Sequence, residues 1–469
     1  MQRGHLFAPE PNFTWNFKST AKAGKRKLNK PKNKTWLLIK DKYFSSQTLS
    51  EKDYERGRKL FIADGCFANG VVAITSGVIL AGFLEYLGAN NVVNGIISGI
   101  PNLAGTLLIF SPVILQKVNR EKWVVLLFGL IHRFLFALMM SVPLVFTNLT
   151  ARLVVFVFFL ATAHILGSFI SPSTVNWLVK LIPEEIRGRY LGLREGIIII
   201  FMALFSFLMA LIIDYTKDNG KEMAGYLICS IAILLMAIGN FIFLLNAKEP
   251  VTELKKSQVG IRQVLTIPLK DRGFRKILVL SILWNFGLQF GGPYFSIYYY
   301  SILRLGYTYI IAIGFAVSLA RMIAAQFWGR FADYKGWIFV SKTSILCLGV
   351  VHVGYMFLNR ETMHIIYPLL TIMGGICWGG VSISIFNIGF EYMPVQDRTS
   401  YISFNTAVSS IAGFSGVLAG SLIVSLLQDR IYSFLSIPLS AMQFLFIGSG
   451  ILLMATSGYI HRFIVKIPI

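Results

Sequence analysis

Two fifteen-residue stretches decide how this chain is built: Asn176–Tyr190, NWLVKLIPEEIRGRY, and Asn387–Tyr401, NIGFEYMPVQDRTSY. Asn176, Pro183, Arg187 and Tyr190 of the first return as Asn387, Pro394, Arg398 and Tyr401 of the second, each displaced by 211 residues. Both stretches close a long apolar run. Four identities at one offset, at equivalent places, indicate an internal duplication. A weaker echo joins Leu87-Gly88 to Leu305-Gly306.

Outward from these stretches the chain is a succession of apolar runs, near 60–86, 92–115, 123–146, 151–180, 195–213, 223–246, 275–300, 307–328, 338–358, 363–391, 401–427 and 437–461. Each reaches or approaches the roughly 20 residues that a ~30 Å hydrocarbon layer requires of a helix. Helix is the only open-chain solution there, because a free strand edge in lipid leaves backbone N–H and C=O groups unsatisfied. The composition agrees: 55% of the 469 residues are apolar and 14% are charged, against about 25% charged in a soluble domain. Mean hydropathy is +0.65. The expected fold is an all-α integral membrane protein of twelve transmembrane helices in two six-helix repeats.

The formal net charge of +22 is distributed as topology signal, not as a nucleic-acid surface. Connections after spans 2, 4, 6 and 8 hold Lys117, Arg120 and Lys122; Arg187 and Arg189; Lys248, Lys255, Lys256, Arg262, Lys270 and Arg272; and Arg330 and Lys335. The alternate connections are nearly free of basic residues. Positive loops stay in the cytoplasm, so both termini are expected there, in a multi-pass protein of the plasma membrane. Expected segments are a basic tail over 1–57, a first bundle over 58–246, a linker over 247–273 and a second bundle over 274–469. The tail begins without an apolar run of leader type. Within it, Trp36 to Phe44 reads either as a short interfacial helix or as part of a charged tail held near anionic lipid. Cys66, Cys229, Cys347 and Cys377 lie far apart in apolar runs and suggest neither disulfide nor metal. No nucleotide-binding or hydrolase motif is present. No cofactor and no enzymatic activity are expected.

After span 8 the chain reads Gly329-Arg330-Phe331-Ala332-Asp333-Tyr334-Lys335-Gly336. This resembles the signature loop of the major facilitator superfamily (MFS), and Pro183 to Tyr190 is similar to the loop after span 4 in many members. The resemblance covers about 58–469. It implies a secondary transporter of MFS type working by alternating access, with spans 1, 4, 7 and 10 lining a cavity. It also implies a cytoplasmic latch built on Asp333, with Gly329, Arg330, Gly336, Pro183 and Arg187 as parts of the gating loops. The first-half copy has Leu115 and Asn119 where the signature has Gly and Asp, and the second has Trp337 and Ile338 where a basic pair is usual.

On the implied lining spans, Asn69, Asn176, Trp284, Gln289, Trp378 and Asn387 offer amides and aromatic platforms for a solute; the same residues also serve as ordinary helix packing. Arg133, His164 and Arg321 fall near mid-membrane, where an ionised side chain needs protein or water beside it. Either Arg is an anion anchor or a structural cation bonded to carbonyls. His164 is a cavity residue or proton carrier, or a satisfied core histidine. Asp64 is the best placed acid for coupling, alternatively a static partner of Arg194, and Arg133 is the third charge candidate. The sequence leaves the solute open among organic anion, sugar and drug-like molecule, with a proton or sodium co-ion. The other reading is a transporter-like receptor or assembly protein that binds without translocating. The lipid bilayer and a small molecule are the expected partners of a monomer, without nucleic acid.

Overall fold

The computed structural model describes residues 49–115, 120–250, 260–394, 398–427, 432–434 and 437–464. The stretch Trp36 to Phe44, Lys117, Asn119, Lys255 and Lys256 lie outside them. The first helix, α1 (Glu51–Ile74), starts inside the expected tail. A capping box explains this: Asp53 N–H donates to the Ser50 hydroxyl at 3.3 Å, and the Asp53 carboxylate accepts from Ser50 N–H at 3.2 Å. Satisfying orphan N–H groups in this way sets a helix start.

Then follow α2 (Gly77–Tyr86), α3 (Asn91–Ser98), α4 (Ile100–Gly105), a 3₁₀ turn (Thr106–Phe110), α5 (Ser111–Leu115), α6 (Glu121–Val145), α7 (Leu149–Lys180), α8 (Arg187–Asp218) and α9 (Glu222–Asn246). The expected linker contains α10 (Ile261–Lys270); then come α11 (Arg272–Ile297) with a π turn at Tyr298–Ile302, α12 (Tyr307–Lys335), α13 (Trp337–Gly354), α14 (Met363–Glu391), α15 (Arg398–Leu427) and α16 (Ala441–Phe463). A short antiparallel pair, β1 (Tyr432–Phe434) with β2 (Ile437–Leu439), sits between α15 and α16. Segments α3 to α5 form one crossing, broken into pieces where Pro101 and Pro112 remove backbone donors.

Among the described residues ten helices are long and apolar enough to span a membrane, eleven when α1 and α2, bent by 42°, count as one. The expected twelve is not reached on that measure. The shortfall lies in the seventh run: α11 has 26 residues but carries Asn285 and Gln289 among glycines and aromatics, which dilute its apolar character.

Two apolar cores form. One gathers α11 to α16 around residues such as Trp284, Tyr294, Leu348 and Phe446; the other gathers α1 to α9 around Phe83, Phe136, Phe156 and Tyr226. Tyr300 and Tyr307, beyond the linker in sequence, pack into the second of these cores. Small residues let helices approach closely, the usual device where lipid gives no hydrophobic drive between helices. At the α13–α16 crossing a Cβ on Gly349 meets the Gly450 carbonyl at 2.8 Å, and one on Gly450 meets the Gly349 carbonyl at 2.6 Å.

The start of the linker is tied down. The Lys122 ammonium, read from sequence as loop charge, is 2% exposed. It donates to the Leu245 and Ala247 carbonyls, both at 2.7 Å. The Glu249 carboxylate accepts from the N–H groups of Glu121 at 3.0 Å and Lys122 at 3.3 Å, capping α6 where its dipole is positive. Burial pushes the Glu249 carboxyl above its usual range, while those two N–H bonds pull the other way.

Replacing Gly450 by Val forces two backbones apart. We expect a loss of about 1–3 kcal/mol, read as a lower thermal unfolding midpoint in detergent, whereas Gly458→Ala, with open space around it, leaves the midpoint unchanged.

Candidate functional site

The first crossing breaks at Thr75-Ser76-Gly77. Gly77 takes φ +59°, a conformation that glycine alone adopts freely. The Thr75 hydroxyl donates to the Val71 carbonyl at 2.8 Å and the Ser76 hydroxyl to the Val72 carbonyl at 2.7 Å. Both carbonyls are thereby supported where the helix stops, and no side chain caps the start of α2.

Two cavities meet at this break. One, of about 310 Å³, is lined by Thr75, Ser76, His132, His164, Gln289 and Ser296 with neighbouring apolar side chains, and so draws on both sides of the duplication. The other, of about 380 Å³, lies between α2, α8 and α12. The structure therefore brings His164 and Gln289 together. It adds Thr75, Ser76, His132 and Ser296, which the sequence reading missed.

His132 Nδ1 lies 2.7 Å from the Ala163 carbonyl. A carbonyl only accepts, so Nδ1 carries the hydrogen and Nε2 keeps its lone pair. The imidazole stands edge-on to Phe136, with centroids 4.7 Å apart, and Phe136 stands edge-on to His164 at 5.4 Å. Gly167 makes room, since a Cβ there sits 3.2 Å from the His132 ring.

The remaining candidates fall elsewhere. Asn69 donates to Gly65 O at 2.8 Å and Asn387 to Ile383 O at 2.6 Å, each within its own helix. Asn176 is exposed. Trp284 and Trp378 meet edge to face at 5.5 Å, and the exposed Arg321 guanidinium stands 5.7 Å from the Trp378 centroid. Arg321 thus has an aromatic platform in a second cluster on α11, α12 and α14. Asp64 is buried and accepts from Asn240 Nδ2 at 2.6 Å. Arg194 instead bonds Phe61 O at 3.2 Å and Glu195 at 2.8 Å. Arg133 is buried and donates to Gly129 O at 3.0 Å. Neither Asp64 nor Arg133 lines the cavity at the break.

Gly329 has open space around it, Arg330 and Asp333 are exposed, and Gly336 ends α12 at φ +83°. Pro183 opens a turn in which Arg187 lies 3.6 Å from Glu184. Among the described residues no ion pair involves Asp333.

The opposite end of the helices is bolted. Glu85 at the end of α2 pairs with Arg304 at 2.5 Å and accepts from the Ser301 hydroxyl. Arg304 holds φ +57° to do so, a strained position for a residue with a side chain. Asp214 of α8 accepts from the N–H groups of Tyr307 at 3.1 Å and Thr308 at 2.7 Å, capping α12. Lys217 donates to the Tyr300 hydroxyl at 2.6 Å, Tyr300 donates to Glu222 at 3.3 Å, and Tyr226 and Tyr307 share a bond of 2.9 Å. These bonds join 49–250 to 260–464.

The family model of the Major Facilitator Superfamily matches residues 60–417. An uncharacterized MFS-type transporter of Methanocaldococcus jannaschii is 21% identical over 330 residues, covering 68% of this chain and 77% of its own length. A bacterial homologue of the iron transporter ferroportin in its inward-facing state superposes with TM-score 0.67 at 14% identity, over 89% of this chain and 99% of its own. The nucleoside transporter NupG gives 0.60 at 13% identity, over 88% and 99%.

Asn240→Ala strips the buried Asp64 of its amide donor. An unmade bond to a buried carboxylate costs about 1–3 kcal/mol, so the unfolding midpoint is expected to fall; Asn69→Ala, which breaks a bond only within its own helix, is expected to lower it less.

Proposed function

The chain belongs to the major facilitator superfamily, a family of transporters and not of enzymes, and on that footing we propose that it carries a small solute across the plasma membrane by alternating access. One observation carries the reading. The polar bonds between the two sides of the duplication cluster at one end, above a cavity that both sides line. The opposite end bears Lys122, Arg187, Arg330 and Lys335. Positive loops assign that end, with both termini, to the cytoplasm. A bolt at the far end corresponds to the state closed to the outside, and the likeness to an inward-facing carrier supports this reading.

In this reading residues 58–246 and 274–469 rock as two bodies about the break in the first crossing, with 247–273 as their tether. Closure at the cytoplasmic end brings Asp333 into its latch, and the outer bolt opens. A proton or sodium gradient drives the cycle, with the buried Asp64 as the group that titrates in the proton case. Gradient-dependent uptake into ion-loaded liposomes is the readout for coupling.

Accessibility tests the state directly. Ser76→Cys, in a background with the exposed Cys347 replaced, is expected to react with an impermeant maleimide from the cytoplasmic face and poorly from outside. Adding Asp214→Ala removes a helix cap valued at about 0.5–2 kcal/mol. Labelling from outside should then rise roughly two- to thirtyfold, and labelling that is equal from both faces in both backgrounds contradicts the proposal.

A further inference from the structure

The cavity at the helix break has a definite hydrogen-bonding character. No Asp, Glu, Lys or Arg is among its lining residues. An ion drawn into it loses water without gaining a counter-charge, a cost of several kcal/mol or more. Three of its polar groups offer acceptors only. The Thr75 and Ser76 hydroxyl hydrogens are committed to the Val71 and Val72 carbonyls, so both oxygens offer the cavity only lone pairs. The Nδ1 hydrogen of His132 is committed to the Ala163 carbonyl, so its Nε2, on the side of the ring away from that carbonyl, is likewise an acceptor. Gln289 adds an amide from the other side of the duplication. Val72, Leu80, Pro101 and Phe136 supply apolar walls against C–H surfaces.

We propose that this cavity takes a neutral solute rich in hydroxyl donors, and that His132 Nε2 is a specificity-determining acceptor that reads one of those hydroxyls. A volume of about 310 Å³ is at the small end of ligand pockets, which run from roughly 300 to 1,000 Å³. That size favours a single polyhydroxylated unit. The inference rests on the carrier reading for its purpose, but not for its chemistry, because binding at the break is measurable without transport.

The test is thermal stabilisation of the purified full-length protein by a panel of pentoses, hexoses, polyols and ribonucleosides. Each is set beside a charged counterpart on the same skeleton, such as glucose with gluconate and glucosamine. At least one neutral member should raise the unfolding midpoint in a saturable way, and its charged counterparts should not. His132→Asn retains a side-chain N–H near Nδ1 for the Ala163 carbonyl but deletes the acceptor at Nε2. This variant, measured against its own solute-free midpoint, should bind the neutral solute about five- to tenfold more weakly, the value of one hydrogen bond. Stabilisation by the charged member of a pair, no stabilisation by any neutral member, or unchanged affinity in His132→Asn overturns the proposal. Binding that follows the prediction together with Ser76→Cys labelling equal from both faces removes the carrier reading and keeps the site; the reverse pattern removes only the site.

Discussion

Lipid supplies no hydrogen bonds, and this one constraint organises the molecule. Every backbone N–H and C=O at membrane depth must be satisfied by the helix, by other protein groups or by water in a cavity. Where the first crossing stops at Ile74 and restarts at Gly77, the helix cannot satisfy its own backbone. Thr75 and Ser76 turn their hydroxyls back onto two carbonyls, and Ser76 and Gly77 line both cavities. A break of this kind facing lipid is untenable. The cavity lined from both sides of the duplication lies at this break.

The same logic explains the bolt. Tyr300 and Tyr307 leave their own side of the duplication and enter the opposite core, so their hydroxyls need partners there. Tyr226, Lys217 and Glu222 provide them. Gly306 permits the approach of Asp214, whose carboxylate lies 3.2 Å from where a Cβ would stand. The bonds are numerous but individually modest.

The large-scale design was legible in the sequence because it is written in composition and repetition. Apolar runs demand helices, and the paired Asn176–Tyr190 and Asn387–Tyr401 stretches mark the duplication. Side-chain direction was not legible. Successive residues point about 100° apart on a helix, so Arg133 faces the core while His132, its neighbour, lines the cavity. Charge draws a sequence reading to Arg133, whereas the cavity at the break is lined by His132. Asn69 and Asn387 look like solute ligands by type, yet each bonds to its own helix four residues back. The break at Thr75-Ser76-Gly77 had a faint signal, two small hydroxyl residues before a glycine in a run that otherwise reads as one span. Lys122 was read as a loop charge because sequence does not show the carbonyls of Leu245 and Ala247 arriving over it.

In the proposed alternating-access cycle, closure at one end and opening at the other are reciprocal. Paired spin labels test it: one pair at Asn219 and Arg360 on the bolted end, another at Arg189 and Asp333 on the basic end, in protein held in lipid nanodiscs. Breaking the bolt with Asp214→Ala and Glu85→Gln should lengthen the first distance and shorten the second. Distances that move in the same direction, or a first distance that lengthens while the second stays fixed, contradict the account.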